Sequence, residues 1–307
     1  MITMDPQVRA YLDAVAASGI PPLQELTPAE ARRNIEVAAV ALAGPPPPLE
    51  RVEDRAIAGV PVRVYAPEKA SVLPVVAYFH GGGWVYGSLD THDSVCRRLA
   101  AATPCLVVSV DYRMAPEHRF PAAVDDCWAV TSWLAAHAGE LGGDPERLAV
   151  AGDSAGGNLA AVMAIRARDH GVRLRHQLLV YPVTDSDLDT ESYLANATGY
   201  GLTRAGMAWF WDHYAPDPSD RRHPDASPLQ AASLAGVAPA TVVVCELDVL
   251  RDEGVAYARR LEAEGVGVRL STYPGMIHGF IRMYAVIDRS HDLGAEIAQS
   301  LKDAFKS

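Results

Sequence analysis

The chain has 307 residues, of which 49% are hydrophobic and 21% charged, and a formal net charge of −11 at pH 7. This is the composition of a soluble globular protein with a large core, and its acid excess argues against partners such as nucleic acid or an anionic membrane surface. No apolar run approaches the ~20 residues that a span needs, and the start MITMDPQVRAY has no basic stretch followed by an apolar one, so no secretory leader is expected.

Asp5-Pro6 reads as an N-cap and first helical position. Val8, Tyr11, Leu12 and Val15 follow at helical spacing, and Gly19 ends the run. Thr27-Pro28-Ala29-Glu30 has the pattern of a capping box and opens a second helix that stops near Gly44. The prolines at 45–48 make a stiff break. Residues 1–44 are therefore expected as a helical appendage, and 45–307 as the main domain.

Residues 51–57 and 60–66 flank Ala58-Gly59 as a plausible hairpin. Short apolar runs follow at 75–79, 105–110, 148–151, 177–181, 241–245 and 268–273. Helical stretches at 122–136, 155–169 and 253–264 lie among them. Apolar strands alternating with helices predict an α/β fold, a mostly parallel sheet covered on both faces, with the two leading strands as an antiparallel edge. The connection between 181 and 241 is far longer than usual. It carries Trp209-Phe210-Trp211, and its part at about 185–225 is expected to form a lid. Cys96, Cys105, Cys127 and Cys245 show no paired spacing. They read as buried thiols in a reducing cytoplasm.

Gly152-Asp153-Ser154-Ala155-Gly156 fits G-x-S-x-G between a strand and a helix, the setting that exposes a nucleophilic serine on a sharp turn. A serine hydroxyl needs a base. Of the ten histidines, His278 follows a strand in a loop, where working groups collect in such sheets. His80 also ends a strand, but three glycines follow it; the rest are read mostly as surface residues. Asp248 lies just past a strand end and can orient the histidine. Glu246 and Asp252 are its rivals, Asp252 reading better as a helix N-cap. In His80-Gly81-Gly82-Gly83-Trp84, glycines let the backbone approach a ligand and aim N–H groups at one spot, which with the amide of Ala155 makes an oxyanion hole. A P-loop or dinucleotide motif would need residues that are missing here.

These motifs, together with Asp111-Tyr112-Arg113-Met114-Ala115-Pro116-Glu117, Gly157-Asn158 and Ile277-His278-Gly279-Phe280, resemble the hormone-sensitive-lipase-like α/β-hydrolases, the bacterial family IV esterases. The resemblance covers nearly the whole chain. It implies an α/β-hydrolase fold with a mostly parallel eight-stranded sheet and a helical cap built from residues 1–44 and part of the insertion. It implies Ser154 as nucleophile, Asp248 and His278 as its partners, and Gly82, Gly83 and Ala155 as amide donors. Trp84, Trp209 and Phe210 are the candidates for touching substrate. Where this family often has Asp-Pro-Leu-Arg-Asp, this chain has Asp248-Val249-Leu250-Arg251-Asp252. The expected reaction is hydrolysis of small-molecule esters with short-to-medium acyl groups, with no metal or cofactor. An amide or lactone substrate on the same triad, or a non-catalytic receptor on the same fold, are the alternatives. The last strand, at 268–273, is expected to pair with a second copy in a homodimer.

Overall fold

The computed structural model describes residues 3–67 and 72–306. Helix α1 (Pro6–Ala17) starts where Asp5 accepts the Gln7 N–H, and α2 (Pro28–Ala43) starts at a capping box in which Thr27 and Glu30 satisfy each other's backbone N–H groups. Strands β1 (Arg51–Ile57) and β2 (Val60–Ala66) form a hairpin. Its corner is Ala58-Gly59, both at positive φ as a tight two-residue hairpin turn requires. Then come β3 (Leu73–Phe79), α3 (Asp93–Ala102), β4 (Leu106–Val110), α4 (Ala122–His137), β5 (Gly143–Asp153), α5 (Ala155–Asp169) and β6 (His176–Val180). The long insertion holds α6 (Glu191–Ala195), α7 (Arg204–Tyr214) and α8 (Pro218–Arg221). The chain closes with β7 (Ala240–Leu247), α9 (Arg251–Ala263), β8 (Val268–Ile277) and α10 (Arg289–Ala304).

The strands form one eight-stranded sheet in the order β1-β2-β4-β3-β5-β6-β7-β8. β2 is antiparallel to both β1 and β4, and every pair from β4 to β8 is parallel. Side chains alternate between two buried clusters, as strand geometry demands. On β3, Val75, Ala77 and Phe79 join the cluster under α4 and α5, whereas Val76 and Tyr78 join the cluster under α3 and α10. Both faces are thus covered, which is why the central strands read as continuous apolar runs.

Outside the insertion, two α-helices, α3 and α10, were not named from sequence. In α10 the signal is present, since Leu293, Ile297 and Leu301 recur every fourth residue and are buried. β8 also runs four residues past its expected end. Its pairing with β7 is interrupted between Cys245 and Leu247 and resumes at Leu247–Ile277. Gly275, at φ 69°, takes the positive-φ conformation in that stretch. No helix among the described residues is long and apolar enough to cross a membrane.

Candidate active site

β5 delivers its last residue, Asp153, to the carboxyl edge of the sheet, and the chain turns sharply into α5 at Ser154. Ser154 has φ 57° and ψ −122°, a conformation costly for a residue with a Cβ. Its N–H donates to Val180 O at 2.9 Å, which ties the turn to β6. The flanking glycines follow from crowding. A Cβ on Gly152 would overlap the Gly156 carbonyl, and one on Gly156 would overlap the Phe79 carbonyl of β3. The G-x-S-x-G spacing thus reflects a turn pressed against two neighbouring backbones.

Beyond the end of β8, His278 is held between two groups. Its Nδ1–H donates to Asp248 Oδ2 at 2.7 Å, and Ser154 Oγ–H donates to its Nε2 at 2.8 Å. Asp248 is almost fully buried, and its other oxygen accepts the Leu250 N–H. Tyr181 packs against the imidazole with ring centroids 4.5 Å apart. The rival acids stand elsewhere. Glu246 Oε2 accepts the Gly275 N–H at 2.8 Å and so braces the strand end that carries His278. Asp252 is not an N-cap: α9 begins one residue earlier, and the Asp252 carboxylate accepts the Ser192 N–H, linking α9 to α6.

The glycine loop follows β3. Gly81 N–H donates to Asp153 Oδ1. Gly82, at φ 128°, presents its carbonyl to the N–H groups of Val85 and Tyr86. A Cβ on Gly83, at φ 58°, would collide with the Phe210 ring, so Phe210 sits directly on the loop. Among the described residues no acceptor takes the N–H of Gly82 or Gly83. Ala155, first residue of α5, carries one of the N–H groups that helix geometry leaves free.

Behind the loop lies a buried polar cluster. Asp153 Oδ1 also accepts the Tyr78 hydroxyl at 2.7 Å, and its Oδ2 faces His92 Nε2 at 3.4 Å. Burial works against the Asp153 charge, but His92 and these hydrogen bonds outweigh it and hold the carboxyl well below the usual range. His80 stacks on Tyr112 and is buried; burial, helped by His92, pushes its imidazole down to about 3. His92 and His176 are likewise buried, which corrects the expectation that such histidines are surface residues. His176 sits on β6 against Thr241.

Two spaces adjoin at His278, and the smaller one reaches Ser154. A narrow slot of about 30 Å³ is bordered by the glycine loop, Ser154, His278 and Phe210. A larger cavity of about 290 Å³ is bordered by Tyr11 of α1, Leu23, Ile35 of α2 and the segment 201–206. Phe210 thus lines the slot. Trp84 and Trp209 border neither space, contrary to expectation. Trp84 is fully buried, stacked on Tyr214 of α7 at 4.1 Å and beside Trp211. Trp209 is 8% exposed and packs on His213. Aromatic partners on α7 thus hold the Trp84 ring in the core.

Two residues that the sequence reading passed over also shape the site. Arg32 of α2 pairs bidentately with Glu117 at 2.8 and 2.6 Å and donates to the carbonyls of Val85 and Ala115. This bonding, led by the hydrogen bonds from Arg32, holds the Glu117 carboxyl down to about 2. Arg282 borders both the slot and the larger cavity. Its position four residues after His278, at the exit of a strand, was the available sequence signal.

A family model described as alpha/beta hydrolase fold matches residues 76–282. Carboxylesterase NlhH of Mycobacterium tuberculosis (strain ATCC 25618 / H37Rv) is 46% identical over 265 residues, covering 83% of each chain. Ethyl acetate hydrolase of Pseudomonas putida is 37% identical, covering 98% of this chain and 99% of that one. The structure of ester-hydrolase EH1AB1 from the metagenome of Lake Arreo, complexed with a derivative of bipyridine phosphonate, superposes with a TM-score of 0.95 at 40% identity, over 99% and 100% of the two chains. The chain belongs to the α/β-hydrolases, in their hormone-sensitive-lipase-like branch.

Proposed function

We infer that the protein is a serine carboxylic-ester hydrolase acting on small-molecule esters with short-to-medium acyl groups. The observation that carries this is the unbroken Ser154–His278–Asp248 hydrogen-bond chain beside a glycine loop with free N–H groups. Asp248 fixes the tautomer in which His278 Nε2 is bare and faces Ser154 Oγ. His278 takes the serine proton as Oγ attacks the ester carbonyl. The N–H groups of Gly82, Gly83 and Ala155 receive the oxyanion, a contribution of about 3 kcal/mol per donor in serine enzymes. His278 then protonates the leaving alcohol. Water, deprotonated by the same imidazole, releases the acid and restores Ser154. No step calls for a metal or cofactor.

Residues 1–44 and the insertion at about 185–225 are read as a cap over the strand ends, because Tyr11, Leu23, Ile35 and Leu202 all border the cavity next to Ser154. The cavity limits acyl length, since a methylene gains about 0.8 kcal/mol only while apolar wall remains to cover. Four free, buried cysteines support a reducing cytoplasm. β8 is the sheet edge, and Leu270 on it is 37% exposed, which supports a homodimer through that strand. The test of function is kcat/KM over p-nitrophenyl esters from acetate to palmitate. A maximum at short-to-medium chains is expected; a preference for palmitate with activation at an oil interface would overturn the reading.

A further inference from the structure

The cavity bordered by α1, α2 and the 201–206 segment has an unusual charge pattern. The chain as a whole is acidic, at −11. Yet no Asp or Glu is among the residues bordering this cavity, and the one arginine there is Arg282. Arg282 Nη1 is buried and has no hydrogen-bond partner among the described residues. No carboxylate of the described residues reaches ion-pair distance, 4.0 Å, from its guanidinium. Asp153, the acid that borders the neighbouring slot, has Oδ1 bonded to Tyr78 and Gly81, and Oδ2 facing His92. Other half-buried arginines in this chain include Arg63, paired with Asp54 and Asp90, and Arg166, paired with Asp225. Arg282 as a whole is half-buried, but a buried N–H without an acceptor or ion-pair partner is costly, and an arriving anion lowers that cost.

Position narrows the ligand. Arg282 borders the slot that contains Ser154 and also the larger cavity, and it shares both linings with His278, Gly279, Tyr86 and Leu202. An anion on Arg282 therefore borders the same slot as the carbonyl that meets Ser154. A guanidinium presents a planar fork of N–H donors, which matches the two oxygens of a carboxylate.

Building on the esterase reading, we propose that Arg282 forms a carboxylate subsite and that the preferred substrates are anionic esters, the monoesters of short dicarboxylic acids. Hydrolysis breaks the acyl C–O bond of the ester and adds water across it. The products are the alcohol and a dicarboxylate, with one proton released above the acid's pKa. Tyr86 and Tyr11 border the same space, so their hydroxyls are on hand for the second carboxylate oxygen.

The experiment compares ethyl hydrogen glutarate with ethyl glutaramate, its neutral isostere, on the purified full chain by pH-stat at alkaline pH. The expected kcat/KM ratio favours the anion by about 10- to 100-fold, the range of one charge-assisted hydrogen-bonded pair. It does so against the repulsion of an acidic protein. Arg282→Gln brings the ratio close to one, and Arg282→Lys keeps part of it, because lysine retains the charge without the fork. The ratio on the wild-type protein tests the site whether or not the variants fold. As a second wild-type readout, the glutarate monoamide anion inhibits p-nitrophenyl butyrate hydrolysis at a lower concentration than glutaramide does. A wild-type ratio of one or less overturns the proposal, as does a ratio that Arg282→Gln leaves intact. Turnover of p-nitrophenyl butyrate without preference for the anion removes the subsite alone; absence of turnover on every ester removes the esterase reading itself.

Discussion

Ser154 and its two glycine neighbours make a stringent residue-level test. Ser154→Ala and His278→Ala should each lower ester turnover on the order of 10⁴-fold. Their melting temperatures should stay close to wild type, because neither side chain fills the core. Asp248→Asn should lose far more activity than Glu246→Gln, since Asp248 touches the imidazole and Glu246 only the Gly275 N–H. The reverse ranking would move the acid to Glu246. Gly156→Ala should instead abolish folding or lower stability by several kcal/mol, because its methyl group has no room beside the Phe79 carbonyl. At this scale the sequence was informative where a role depends on chain order and strand ends, as for Ser154, Asp248 and His278. Its reading passed over Arg282 and misread His92 as a surface residue, because the surroundings of both come from segments far apart in the chain. It misled on Trp84, whose burial depends on Tyr214 and Trp211 of α7.

Among the elements, α2 is tied to both segments that flank the glycine loop. Arg32 bonds Glu117 and also the carbonyls of Val85 and Ala115 on the two segments next to that loop. Arg32→Ala should cost about 1–3 kcal/mol through the carbonyls it leaves unpaired. It should also reduce kcat/KM on a short ester. Glu117→Gln should be milder, because Glu117 is 54% exposed and its pairing is screened. Thermal melts and steady-state rates on both variants check the order. Deleting residues 1–44 should flatten the acyl-length profile and lower stability, since Tyr11, Leu23 and Ile35 leave the cavity wall. A profile unchanged by the deletion would remove the cap reading. The helix starts at Pro6 and Pro28 were legible because a cap is a local pattern of four residues. The extension of β8 to Ile277 was not, because Pro274 and Gly275 look like breakers until their pairing with β7 is known.

Across the whole molecule, the pH dependence of stability follows from histidines buried without charge. Burial pushes His176 down to about 4 and, with the help of His92, His80 down to about 3. In the unfolded chain a histidine binds a proton at about 6.5. Between these values the unfolded state carries more protons, so stability rises with pH. The contribution is complete above about 6.5 and is lost progressively as pH falls through 5 toward the folded values. By pH 5 the loss should be about 2 kcal/mol for each histidine. Melting temperatures at pH 7 and pH 5 measure it. His176→Gln, which lies away from Ser154, should show a smaller drop than wild type; an equal drop would place the acid sensitivity elsewhere. Light scattering at micromolar concentration tests the β8 pairing, and a monomer there would end that idea. The parallel pairing of the later strands was foreshadowed by alternating strands and helices; their order in the sheet was not. The helices that close one face, α3 and α10, were left unassigned, although Leu293, Ile297 and Leu301 of α10 recur every fourth residue.

The aromatic stack of Trp84 on Tyr214 has a practical consequence. Trp84 belongs to the glycine loop and Tyr214 to the insertion, so the pair spans the joint between them. Trp84 and Trp211 are fully buried there, while Trp128 and Trp133 of α4 pack on His170 and His137. A protein in which Trp128 and Trp133 are replaced by phenylalanine would report mainly on that joint through its ultraviolet emission. If α7 lifts when substrate enters, the emission shifts to longer wavelength as water reaches the indoles. If α7 stays seated through turnover, the spectrum stays constant. The enzyme thus carries its own optical gauge for whether α7 moves.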